Sequence, residues 1–165
     1  MPGSRVVTIT LGLTECWYDN ETRTFLNRMP PAAVLRGSGG GRYRFRNLEF
    51  GECVRQLESA MQAVLSDDDR HIILTVSPVP LQTTFTGQDC VTANMRSKAV
   101  LRAVADRLCT VFAGRVDYFP SYEIAMSGGL QAFCDDNVHA RVPVVKRIVD
   151  HLFATYLPVA ESVAE

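Results

Sequence analysis

The residues Cys134-Asp135-Asp136-Asn137-Val138-His139 set a carboxylate three positions before one of only three histidines in the chain. Imidazole is the one side chain whose unperturbed pKa lies close to neutrality. A neighbouring carboxylate can fix its tautomer and stabilise the imidazolium that forms when it takes a proton. Asp136 and His139 thus supply two of the three groups of a Ser-His-Asp hydrolytic site, and no convincing nucleophilic serine accompanies them. A plainer reading is also open, with Asp136 capping the last helix and His139 in its first turn. His71 heads a strand and His151 sits on a helix; neither has a comparable partner in sequence, and both read as structural.

Alternating strands and helices must position that pair. Val6 to Leu11 is β-branched and apolar and stops at Gly12, and His71 to Ser77 repeats the pattern before Pro78-Val79-Pro80. Arg115 to Phe119 is a third, shorter run. Apolar residues recur at helical spacing over 49–65, 93–112 and 141–157, with charged residues opposite. Strands alternating with helices predict an α/β sandwich around a parallel sheet. Residues 15–47 interrupt the order with a hairpin around Asp19-Asn20, a Pro30-Pro31 loop and the Gly39-Gly40-Gly41 turn. That glycine run is not a phosphate loop, because neither GxxxxGK[ST] nor a helix-opening GxGxxG occurs. No repeat or linker divides the chain, so residues 1–165 are expected to form one domain.

The chain's 165 residues leave room for a real core. With 17 basic and 18 acidic residues it offers no field for nucleic acid or an anionic membrane. The basic cluster Arg42, Arg44 and Arg46 alternates with Tyr43 and Phe45 and reads as a strand with a solvated basic face. No apolar segment nears the ~18 residues that span a bilayer, and Met1-Pro2-Gly3-Ser4-Arg5 lacks the features of a signal peptide. The five cysteines are widely spaced, with no CxxC pair, and suggest neither a disulfide framework nor a zinc site. Reduced cysteines, a cytoplasmic setting and no metal or cofactor are the expectations.

Five ordered motifs carry a resemblance over nearly the whole chain: Thr10 to Asp19, Leu74 to Leu81, Ala93 to Leu101, Val116 to Glu123, and Asp136 to His139. Together they resemble the GSCFA family, which is similar to the SGNH (GDSL-like) esterases and lipases. The resemblance implies a three-layer α/β/α flavodoxin-like fold and hydrolysis or transfer of ester-linked acyl groups, carbohydrate O-acetyl groups among the candidates. It makes Asp136 and His139 the triad acid and base. It sets Gly12-Leu13-Thr14-Glu15 where SGNH enzymes carry GxND, with Thr14 replacing the asparagine that helps build the oxyanion hole. A hydroxyl still donates one hydrogen bond, but losing one such donor costs roughly 10²–10³ in rate. Trp17, Tyr18 and Tyr122 are candidates for an apolar substrate wall.

The family's own serine motif, expected well before the Thr10-Leu11-Gly12 strand, has no counterpart, so the match is expected to cover the C-terminal part of the family. Ser4 precedes that strand without an elbow. Ser77 ends a strand, where active sites of open α/β sheets gather, and is the nucleophile candidate ahead of Ser121 and Cys16. A noncatalytic domain that binds a ligand or partner through the same cleft is the alternative. In flavodoxin-like order, loss of the first two strands leaves Val6–Leu11 at the sheet edge, with a composition suited to the middle. Pairing with a second copy, or with a separate chain that supplies the serine, follows as the expectation.

Overall fold

The computed structural model describes residues 4–26, 28–37, 41–67 and 69–157. Three parallel strands form its centre: β1 (Val6–Leu11), β5 (His71–Val76) and β6 (Val116–Tyr118), in the order β1-β5-β6. β1 and β5 run in register from Val6 opposite His71 to Leu11 opposite Val76. β5 lies between two neighbours and is buried from Ile72 onward. β1 has one neighbour among the described residues, and its burial alternates, with Val6, Thr8 and Thr10 exposed. The expected α/β fold with a parallel sheet is therefore observed, and β1 lies at its edge.

One face of the sheet carries Ile72, Leu74 and Val76, which pack with Met61 of α2 (Phe50–Val64) and with Leu101, Val104 and Leu108 of α3 (Cys90–Val111). On the other face, Ile73 and Asp117 line a groove together with Leu152 and Tyr156 of α5 (Val142–Tyr156). α2 opens with a reciprocal capping box between Glu49 and Glu52. α3 starts three residues before the expected Ala93, because the Asp89 carboxylate accepts the N–H groups of Val91 and Thr92. Two short helices were not foreseen: α1 (Ala32–Arg36), after the Pro30-Pro31 loop, and α4 (Ser121–Met126), after Pro120. In each, the proline carbonyl accepts the first helical hydrogen bond, from Val34 and Ile124 respectively.

The interrupting segment forms a second, antiparallel sheet in the order β3-β2-β4, from β2 (Glu15–Asp19), β3 (Thr24–Leu26) and β4 (Tyr43–Asn47). The expected hairpin is β2–β3, and the basic strand is β4. Two of the three arginines of the basic cluster are matched locally. Arg42 forks onto the buried Asp19 carboxylate at 2.8 and 3.1 Å and also pairs with Glu21, while Arg46 pairs with Glu52 of α2. The Arg42 guanidinium holds the Asp19 carboxyl down at about 2. Gly39 and Gly40 of the expected glycine turn lie outside the described residues. Among the described residues, no helix is long and apolar enough to cross a membrane. All five cysteines are unpaired.

Candidate active site

Asp136 and His139 sit in a tight turn before α5, not on the helix itself. The turn is closed by a bridge between Phe133 and Ala140, by the Cys134 N–H donating to the His139 carbonyl at 2.8 Å, and by Asn137 in the left-handed region at φ 56°. Arg141 braces its base, donating from Nε to the Phe133 carbonyl at 2.7 Å. The two carboxylate oxygens of Asp136 divide the work. Oδ1 accepts the N–H groups of Val138 and His139 at 2.9 and 3.0 Å, and Oδ2 lies 2.6 Å from His139 Nδ1. The capping reading is thus met by a turn instead of a helix, and it coexists with the carboxylate–imidazole contact.

That contact holds the Asp136 carboxyl well below the usual carboxylate range, with the two backbone N–H bonds adding to the effect. It also fixes the chemistry of the ring. With Nδ1 committed to the carboxylate, Nε2 is the nitrogen left to take or give a proton. The His139 side chain is 74% exposed, and among the described residues no serine hydroxyl bonds to its Nε2.

The turn forms one wall of a cleft of about 470 Å³ at the C-terminal end of β5. Pro78 and Pro80 supply the second wall, the first turns of α3 the third, and Tyr122 and Met126 of α4 the fourth. Asp136, Asn137 and Val138 face this space. This is the location expected of a ligand site in an open α/β sheet, outside the carboxyl ends of the strands.

Gly12-Leu13-Thr14 adjoins the Pro78 wall, because the Ser77 N–H donates to the Leu11 carbonyl at 2.8 Å. The loop is clamped from outside. The Thr14 N–H donates to Ser97 Oγ at 2.7 Å, its hydroxyl donates to Asn47 Oδ1 at 2.8 Å, and its carbonyl accepts the Leu48 N–H at 2.9 Å. Arg96 Nη1 donates to the same Asn47 oxygen, and Lys98 Nζ donates to the Gly12 carbonyl at 2.9 Å. Lys98 is 1% exposed, and burial pulls its ammonium down to about 8. Glu15 turns away from this point: its carboxylate accepts from the Thr84 hydroxyl and the Phe85 N–H at 2.7 and 3.1 Å, tying the 81–86 loop to β2. Trp17 packs edge-on against Phe45 and Phe85 at 5.9 and 5.4 Å, in a separate aromatic cluster.

The candidate nucleophiles differ in their commitments. Ser121 is buried, and its hydroxyl is shared between Thr75 Oγ1 and the Val76 carbonyl. Ser77 is half-buried at the end of β5 and accepts the Val79 N–H at 3.2 Å, which leaves its own proton free. Burial pushes the Cys16 thiol up to about 11, away from thiolate chemistry. Ser4 lies before β1, at the opposite end of the sheet from the cleft. His71 makes only a 3.4 Å contact to the Asp69 carbonyl, and His151 lies against Phe119 at 5.7 Å between ring centres. Among the described residues no three His, Cys, Asp or Glu side chains converge as a metal ion would require.

Sequence reasoning missed Ser97 and Asn47, and it set Lys98 on the charged face opposite the apolar stripe of α3, whereas the lysine is buried. A serine and a lysine side by side on an apolar helix face were the available signal. A family model, described as GSCFA family, matches residues 1–152. No curated protein and no solved structure matches the chain.

Proposed function

The chain belongs to the GSCFA family, and on that premise we propose that it is an SGNH-like hydrolase of acyl esters. His139 is the general base and Asp136 its orienting carboxylate. The observation that carries this reading is the 2.6 Å contact from Asp136 Oδ2 to His139 Nδ1, which leaves Nε2 free beside a mostly apolar cleft. A serine hydroxyl attacks the acyl carbon and gives its proton to Nε2. Asp136 stabilises the imidazolium, which then protonates the leaving alcohol, and water repeats the sequence on the acyl-enzyme. Ser77 is the first nucleophile to test within this chain, since its proton is free while that of Ser121 is engaged. The oxyanion is assigned to the Gly12–Thr14 loop, through the backbone N–H groups of Gly12 and Leu13, because the Thr14 hydroxyl and N–H are both engaged.

The test is hydrolysis of a p-nitrophenyl ester by the wild type and by His139→Ala. Loss of activity in the variant supports the reading, and equal rates reject it. One observation favours the alternative of a noncatalytic binding domain: among the described residues no serine contacts His139. Under that alternative neither protein turns over, and ligand binding survives the substitution.

β1 is uncharged along its edge, with Val6 52% exposed, and α5 presents Val142, Val145, Val149 and Phe153 in an unburied stripe. Edge strands of this kind pair readily with another chain, which supports association of two copies through Val6–Leu11. Light scattering that finds only monomer at micromolar concentration would end this part of the proposal. The five unpaired cysteines fit a reducing, cytoplasmic setting.

A further inference from the structure

We infer that the cleft beside the Asp136 turn selects a neutral ester whose acyl part is a flexible apolar chain longer than acetyl. The inference rests on the hydrolase reading for the position of the reacting bond, and on the cleft alone for the chemistry of the chain. Leu81, Val91, Met95, Tyr122, Met126 and Phe133 are six of the fourteen lining residues, from four separate segments of the molecule. Three of these are conspicuously open to solvent: Val91 at 70%, Met95 at 52% and Met126 at 42%.

Apolar side chains exposed singly need no explanation, but a group of them converging on one concavity beside polar chemistry does. Asp136 is the one formally charged group among the lining residues, so an anionic substrate would meet repulsion and no compensating cation. Two of the polar groups there are committed, and the Gln82 and Asn137 amides and the Tyr122 hydroxyl are the remaining ones. Asn94 Oδ1 accepts the Leu81 N–H at 2.9 Å, and the Cys90 thiol donates to the Leu81 carbonyl. The few neutral groups that remain can orient an ester, while the larger apolar part of the lining is left for a hydrocarbon chain.

Volume points the same way. At about 470 Å³ the cleft lies within the range of small-molecule sites, about 300–1,000 Å³, and an acetyl group would fill little of it. Orientation follows from the dyad. His139, which returns the proton to the leaving alcohol, is 74% exposed and does not line the cleft, whereas Asp136, Asn137 and Val138 of the same turn do. The alcohol therefore departs on the solvent side and the acyl chain lies along α3 and α4. The two methionines suit this task, because their unbranched thioethers repack around chains of varied shape.

A binding experiment separates this inference from the hydrolase reading. N-Methylhexanamide and N-methylacetamide, which resist hydrolysis, are titrated into the isotopically labelled protein, and amide shifts are followed by NMR. Each methylene taken out of water is worth about fourfold in affinity when fully buried. In a cleft open on one side, the hexanoyl compound is expected to bind at least about tenfold more tightly. Its shifts should centre on Val91, Met95 and Phe133, and Met95→Glu, a change at an exposed helix position, should remove most of the advantage. Equal affinities, or shifts centred on the separate groove between α5 and the sheet, would overturn the inference. Parallel assays with p-nitrophenyl acetate and hexanoate distinguish the two failures. Hydrolysis dependent on His139 without preference for hexanoate defeats the chain-length inference alone. Selective hexanamide binding without such hydrolysis defeats the hydrolase reading alone.

Discussion

The turn that carries Asp136 and His139 is exposed and closes on itself between Phe133 and Ala140, whereas Gly12-Leu13-Thr14 is held by side chains arriving from β4 and α3. The first gains its geometry from one aspartate whose two oxygens serve different partners. The second gains it from residues up to eighty-six positions away. In the exposed turn, chemistry and stability are separable, since a side chain can be removed without opening a cavity. At the buried Thr14 they are entangled, because its polar groups are satisfied by side chains that also hold the neighbouring elements in place.

The largest expected effect lies on the exposed side. His139→Ala should lower ester hydrolysis about 10³–10⁴-fold and leave the thermal midpoint unchanged, as activity and calorimetry would report. Asp136→Asn should lower it about 10²–10⁴-fold, because an amide can still cap the turn but no longer stabilises the imidazolium. A large drop in midpoint for either variant would show that the turn is not self-contained.

Lys98 sharpens the buried side. Its ammonium is pulled down to about 8 by burial, so between about pH 8 and 10.5 the unfolded chain holds a proton that the folded chain has released. Stability therefore rises with pH across that window, by up to about 3 kcal/mol from this group. Cys16, pushed up to about 11, and Tyr118, pushed higher by burial and by Glu123, act in the opposite sense at their own alkaline pH. The difference between wild type and Lys98→Met isolates the lysine: denaturant titrations should show it rising from pH 8 to 10. A flat difference would mean that the ammonium is solvated.

Thr14→Val is expected to cost about 1–2 kcal/mol, through the lost hydroxyl bond to Asn47, with a modest rate effect, since Arg96 and the residue-14 N–H still serve Asn47 Oδ1 and Ser97 Oγ. A rate loss of 10²–10³ at unchanged stability would return the oxyanion donor to the threonine hydroxyl. Ser121→Ala should be the mildest, about 1–2 kcal/mol from the lost Thr75 and Val76 bonds, with activity intact.

The same contrast explains what could be read from the residues alone. A carboxylate three positions before a histidine is a local relation, and it survived folding as a 2.6 Å contact. The parallel strands were legible because Val6–Leu11 and His71–Val76 are β-branched runs with sharp ends. The early start of α3 depended on one aspartate cap, and α1 and α4 lay behind prolines, where the pattern was too short to distinguish a turn from a helix. Glu15 and Trp17 sit beside the loop in sequence, yet one ties down the 81–86 loop and the other joins an aromatic cluster. No spacing rule encodes such long-range choices. The buried Lys98 was equally invisible, since an ammonium that binds a carbonyl eighty-six residues away leaves no periodic trace.

The most direct test of the account is fluorophosphonate labelling of the purified chain, with the adduct located by mass spectrometry, beside the His139→Ala variant. The account predicts an adduct on one serine, Ser77 foremost, that disappears in the variant. A folded wild type that takes no label, or one labelled equally with and without His139, would contradict it.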